Sequence, residues 1–88
     1  MIHNTETINR TLPIELICEK LTRLGIIGWH IDWSESGKNI KLMRYIKRTA
    51  MILCIPPENL FRAMDGITKI NEIELWQVLY MASMRGLK

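Results

Sequence analysis

Three polar residues at alternate positions, His30, Asp32 and Ser34, have the side-chain types of a nucleophilic triad. Nucleophilic catalysis needs a base that is held against the nucleophile by a third group, with an oxyanion site close by. Side chains at alternate positions of an extended segment point in parallel, so they do not converge in that way. We therefore expect a row of solvent-facing side chains here, and we predict no catalytic residue and no enzyme activity.

The two cysteines and two histidines match the count of a zinc finger but not its spacing. Cys18 and Cys54 are far apart in the chain, and no two of the four residues form a close ligand pair. We expect no metal site and no cofactor. Both thiols are predicted to be reduced and buried, since a free cysteine behaves as a small hydrophobic side chain.

The positive charge of the chain is concentrated in one stretch. The net charge is +3, and residues 36–54 contain basic residues but no acidic one. On a helical wheel these basic residues lie opposite an apolar side; they are Lys38, Lys41, Arg44, Lys47 and Arg48. Such a face could neutralise DNA phosphates or contact an acidic protein surface, and it could also be a solvated helix surface.

Four helices are predicted to position these residues. Apolar residues recur at helical spacing over residues 13–24, and Gly25 follows as the expected stop. A second helix is predicted over residues 38–54, because its apolar residues fall on one side of the wheel. Pro56 and Pro57 end it and suit the first turn of a third helix over residues 57–65.

A fourth helix is predicted over residues 72–84, with Asn71 and Glu74 as a capping pair. Residues 29–33 alternate between apolar and polar types, as in a half-buried strand. No second strand is evident, so an extended loop or half of a hairpin is expected, formed with residues 25–28 or with another chain. Residues 1–10 are predicted to be a flexible arm, and residues 11–88 a single helical domain.

The spacing over residues 46–66 resembles a helix-turn-helix. Ala50 takes the small position inside the first helix, Cys54 and Ile55 lie in the turn, and Leu60 packs the second helix onto the first. The run from Asn59 to Gly66 resembles the recognition-helix end of the phage-repressor (Cro-like) class. The match covers residues 46–84.

That resemblance implies a DNA-binding regulator in which side chains of the second motif helix reach base edges. Arg62 would contact guanine and Asn59 adenine, while Lys47 and Arg48 would contact the backbone. Glu58 and Asp65 would repel phosphates on the same helix, which therefore has no net positive charge.

The fourth helix is apolar nearly all round, so it is either central in the core or shared with a partner. A chain of 88 residues covers such a helix with difficulty, which favours a homodimer or a protein partner. Trp29 and Trp33 lie on one side of the extended segment and either cover the core or join that interface. The predicted interface residues are Trp29, Trp33, Trp76, Leu79 and Tyr80.

These observations predict an all-α fold, a small four-helix domain with a helix-turn-helix-like core and a short extended segment between helices one and two. The predicted function is that of a small non-enzymatic DNA-binding regulator of a phage or mobile element, with double-stranded DNA as partner. The alternative is a protein-binding inhibitor, adaptor or anti-repressor that acts through the apolar C-terminal helix and the basic face. No apolar run approaches the length of a membrane span, and no N-terminal apolar run follows a basic start as in a signal peptide, so a cytoplasmic location is expected.

Overall fold

The fold is a three-stranded antiparallel sheet with three helices. In a computed structural model, the backbone is described for residues 2–85 and the side chains for residues 10–85. The elements follow the order α1 (Ile2–Arg23), β1 (Trp29–Trp33), β2 (Ile40–Ile46), β3 (Thr49–Ile55), α2 (Pro57–Met64) and α3 (Glu72–Met84). The predicted all-α class is therefore wrong, and the fold is mixed α/β.

The first helix ends where the sequence predicts, at Gly25. The N–H of Ile26 donates to the carbonyl of Leu21 at 2.9 Å, and the N–H of Gly25 donates to that of Thr22 at 3.0 Å. These two bonds form a Schellman motif around Gly25, whose φ of +77° suits glycine. The start of α1 differs from the prediction, because the helix already includes residues 2–12 and encloses Pro13. The flexible arm predicted over residues 1–10 stays a prediction, because residue 1 and the side chains of residues 2–9 lie outside the described part of the chain.

The largest error concerns residues 38–54, which form a β-hairpin and not a second helix. Strands β2 and β3 pair in an antiparallel register from Ile40 opposite Ile55 to Ile46 opposite Thr49, with Lys47 and Arg48 as the two-residue turn. Most residues of β2 and β3 that face the helices are apolar, the exceptions being Arg44 and Thr49, and several are β-branched, which favours strands. The same residues also fit a helical wheel, so the two periods compete in this stretch.

The strand pattern of residues 29–33 is confirmed, but its partner is not the one expected. Strand β1 pairs with β2, from Trp29 opposite Arg44 to Trp33 opposite Ile40, and the strand order is β1-β2-β3. One face of the sheet carries Trp29, Ile31 and Trp33 inward. The opposite, outer face carries His30 and Asp32.

The last two helices agree with the sequence. Helix α2 begins at Pro57 and is followed by Gly66 with a φ of +79°. Helix α3 begins with a full capping box: Asn71 accepts from the N–H of Glu74 at 2.8 Å, and Glu74 accepts from the N–H of Asn71 at 3.3 Å. Proline at a first turn and a reciprocal cap are local signals, which is why they predicted these boundaries.

The core lies between the inner face of the sheet and the three helices. Its fully buried residues come from every element except β1, whose tryptophans and Ile31 pack against it half-buried. The buried hydrophobic residues are Ile17, Leu21, Ile26, Ile40, Leu42, Leu53, Ile55, Leu60, Met64, Leu75, Leu79 and Ala82. Among the described residues, no helix is long and apolar enough to cross a membrane.

Candidate functional site

A polar cluster joins the inner face of the sheet to the start of α3. The Nε atom of Arg44 lies 2.7 Å from Oε2 of Glu72, and the indole Nε1 of Trp29 donates to the same oxygen at 2.9 Å. Nη1 of Arg44 donates to the carbonyl of Ile27 at 2.9 Å. One arginine thus connects β2, α3 and the loop before β1.

Gly28 provides the space that this arginine needs. A Cβ atom at Gly28 would overlap the guanidinium of Arg44, and the backbone there has a φ of +90°. The positive φ favours glycine, and a side chain at this position would displace the Arg44 guanidinium. The helical pattern predicted Arg44 on a solvent-facing basic surface. Glu72 is distant in the chain, so no local pattern indicated its ion pair with Arg44.

Beside the cluster lies an open groove of about 520 Å³ between the β2–β3 hairpin and the first turns of α3. Apolar side chains form most of its walls, and the Arg44–Glu72 ion pair lies among them. The lining residues are Arg44, Ile46, Met51, Asn71, Glu72, Ile73, Trp76 and Gln77.

One wall of the groove is packed against the sheet, and the opposite wall is exposed to solvent. Trp76 meets Trp29 edge to face, with ring centroids 5.2 Å apart, so the indole that lines the groove is fixed against the sheet. Ile73 is 73% exposed and Ile46 is 45% exposed. The apolar surface therefore continues from the groove to the protein exterior, where burial by a partner would be favourable.

The predicted basic face does not exist as a single surface. Lys38 lies in the loop before β2, Lys41 on the outer face of β2 and Arg44 on the inner face. Lys47 and Arg48 form the exposed tip of the hairpin. Only Lys47 and Arg48 remain side by side, and in the described part of the chain neither has an ion pair.

The two residues predicted to read bases lie on α2. Asn59 is half-buried, and its Nδ2 donates to the carbonyl of Ala82 at 3.4 Å, so it connects α2 with α3. Arg62 is exposed. The residues predicted as the first motif helix lie in the β2–β3 hairpin, so the predicted helix-turn-helix-like core is wrong.

The predicted interface residues divide into three kinds. Leu79 is fully buried in the core and unavailable to a partner. Trp33 connects β1 to α1. Its Nε1 donates to the carbonyl of Arg10 at 2.8 Å, and the Arg10 guanidinium lies 4.5 Å above its ring. Trp76 lines the groove with Trp29 packed against it, and Tyr80 is exposed on α3.

The remaining chemistry-bearing residues form no evident reactive site. His30 lies on the outer face of the sheet, with its ring centroid 6.3 Å from that of Tyr45, while Ser34 contacts Ser36 at 3.0 Å. Within residues 10–85, no three His, Cys, Asp or Glu side chains come together as metal ligands. Cys18 and Cys54 are free but exposed, so their predicted burial is wrong.

Comparison of this chain with protein-family models, with curated proteins and with solved structures finds no match.

Proposed function

We propose that this chain is a non-enzymatic protein-binding module. Its groove would take an apolar segment of a partner protein. The observation that supports this is the apolar wall of exposed Ile46, half-buried Met51 and exposed Ile73 around the Trp76 indole, which is packed against Trp29. Interfaces depend on such aromatic anchors at the edge of a pocket, where partner side chains can be fully desolvated.

The charges at the groove mouth indicate the chemistry of the partner segment. Lys47 and Arg48 follow directly after Ile46, so two cations stand at the hairpin end of the groove. The carboxylate of Glu72 is already paired with Arg44. A segment with large apolar side chains followed by acidic residues therefore complements the site, and opposite charges would also speed its association.

The apolar surface extends beyond the groove along α3. Tyr80, Met81 and Met84 are all at least half exposed on the same helix as Ile73. A small molecule would leave this additional surface uncovered, whereas a helical or extended protein segment could bury it. This continuity favours a macromolecular partner.

This proposal corresponds to the protein-binding alternative of the sequence analysis. A cytoplasmic location belongs to the same proposal, since two exposed free thiols suit a reducing compartment. Double-stranded DNA as a partner stays a separate prediction.

Synthetic peptides can test the groove directly. The probe is an amphipathic peptide with two leucines four residues apart and a following Asp-Glu pair, together with a control peptide in which that pair is replaced by lysines. We expect the acidic peptide to change the Trp76 indole resonance in a ¹H–¹⁵N spectrum and to bind more tightly than the basic peptide.

Two matched variants locate the binding. Ile73→Asp changes an exposed wall residue of the groove, and Ile27→Asp changes an equally exposed isoleucine that does not line it. We expect Ile73→Asp to weaken peptide binding by about tenfold or more and Ile27→Asp to leave it unchanged. If the Trp76 signal does not respond to either peptide, or if both variants bind alike, the proposal is wrong.

A further inference from the structure

The two edges of the sheet differ in how they are protected. The β1 edge is five residues long and includes His30 and Asp32. The β3 edge (Thr49–Ile55) is seven residues long and contains no charged residue and no proline. Proteins usually blunt their edge strands with charge, proline or short length, because an unprotected edge is a template for pairing with another chain.

The hairpin geometry identifies which backbone groups of β3 are free. Ile46 and Thr49 close a two-residue turn, so they form a hydrogen-bonded pair, and bonded pairs then alternate along the ladder. Ala50, Ile52 and Cys54 accordingly point their N–H and C=O groups away from β2. In the described part of the chain, β3 makes no backbone hydrogen bond outside its ladder with β2.

From this edge we infer that two copies of the chain pair antiparallel through β3, with Ile52 opposite Ile52 of the second copy, to form a continuous six-stranded sheet. This inference does not depend on the groove. In that register Ala50 lies opposite Cys54 of the second copy. The backbone groups of Ala50, Ile52 and Cys54 then form all the hydrogen-bonded pairs between the two copies. Both copies then keep their helices on the same side of the sheet, because the two-fold axis is perpendicular to it.

The charges at the end of the strand favour the antiparallel arrangement over a parallel one. The register places Arg48 of one copy opposite Pro56 of the other, next to Glu58 in the first turn of α2. Arg48 and Glu58 have opposite charges, and Arg48 has no ion pair within the described chain. A parallel arrangement would instead bring Arg48 next to Arg48, where like charges repel.

The outer face of the sheet provides the side-chain contact. Ile52 is 56% exposed there and would meet its own copy across the axis. Its neighbour on β2 is Met43, one strand away from the axis, and the exposed Tyr45 is the next outer-face residue of β2 toward the turn. Burial of the two Ile52 side chains against each other would add to the backbone hydrogen bonds.

The first test compares two lysine substitutions on the same sheet face. Ile52→Lys places two cations opposite each other on the axis, whereas Met43→Lys makes the same change one strand inward. By sedimentation equilibrium we expect a dimer for the wild type and Met43→Lys, and at least about tenfold weaker association for Ile52→Lys. A monomeric wild type, or equal behaviour of the two variants, would overturn the inference. A dimer that Ile52→Lys leaves intact and Met81→Lys on α3 dissociates would also overturn it.

A disulfide can fix the register. Opposite residues of a bonded antiparallel pair have Cα atoms about 5.5 Å apart, within the roughly 4.4–6.8 Å range of disulfides. Ala50→Cys should therefore cross-link to Cys54 of the second copy under mild oxidation, whereas Ala50→Cys combined with Cys54→Ser should not. Positions 50 and 54 of one strand are roughly 13 Å apart, so the bond cannot form within a chain. Failure of Ala50→Cys to cross-link at concentrations where the protein is dimeric would contradict this register.

Discussion

At Lys47 the hairpin turn requires a backbone conformation that its side chain disfavours. Its φ is +57°, and among the described non-glycine residues it alone has a positive value. A Cβ atom in this region is crowded by the following carbonyl, at a cost of about 1–2 kcal/mol. No turn signal marks this position, because turns of this kind normally contain glycine or asparagine.

We expect Lys47→Gly to stabilise the protein. Removal of the Cβ relieves the strain, and the greater entropy of glycine in the unfolded chain cancels part of the gain, which leaves a net increase of about 0.5–1 kcal/mol in the free energy of unfolding. Urea denaturation followed by circular dichroism measures this change.

The neighbouring arginine is the matched control for that measurement. Arg48 is also exposed and cationic but has no positive φ. Arg48→Gly should therefore lower the free energy of unfolding by about 0.5–1 kcal/mol, opposite in sign to the first variant. If both glycine variants destabilise the protein, Lys47 is not strained.

Among the elements, α3 depends most clearly on a local signal. Its capping box satisfies two backbone N–H groups that the helix itself leaves unpaired. We expect Asn71→Ala to lower the free energy of unfolding by about 0.5–2 kcal/mol, whereas Asn71→Ser, which keeps an accepting oxygen, should cost much less. Thermal denaturation of the three proteins tests this, and equal loss in both variants would contradict a capping role.

Local signals also explain which elements could be predicted. These signals act within a few residues. Gly25 marks the end of α1, Pro56 and Pro57 mark the start of α2, and the capping box marks the start of α3. The β2–β3 hairpin has no such signal, because Lys47 and Arg48 replace the usual turn residues and the strand residues also fit a helical period.

The candidate site was predicted only in part, since it depends on contacts distant in sequence. Trp76 was expected at an interface and lines the groove, and Trp29 packs against it. The Arg44–Glu72 pair and the groove walls Ile46 and Met51 were missed, because they result from the hairpin. An arginine among apolar residues was the only trace of this half-buried cluster in the sequence.

For the whole molecule, the hairpin changes what the charge distribution can do. A helical arrangement would place five cations on one face. The hairpin instead distributes Lys38 and Lys41 over a loop and the outer sheet face, pairs Arg44 with Glu72, and leaves Lys47 and Arg48 together at the tip. A duplex contact made by this chain would therefore involve about two cations acting together.

Salt dependence of duplex binding distinguishes the two arrangements. The logarithm of the binding constant falls with the logarithm of salt concentration by about 0.9 for each phosphate neutralised, so two cations predict a slope near −2 and five predict about −4.5. We expect weak binding to random duplex DNA with a slope near −2, measured by fluorescence anisotropy.

Variants identify which cations produce that slope. Lys47→Ala combined with Arg48→Ala should abolish the residual binding, and Arg62→Ala should leave it unchanged, because α2 has no net positive charge with Glu58 present. A slope near −4.5 would contradict this prediction. A sequence preference that Arg62→Ala relaxes would do so as well, since an arginine–guanine contact is worth about 1–3 kcal/mol of discrimination, and either result would favour the DNA-binding regulator over the protein-binding module.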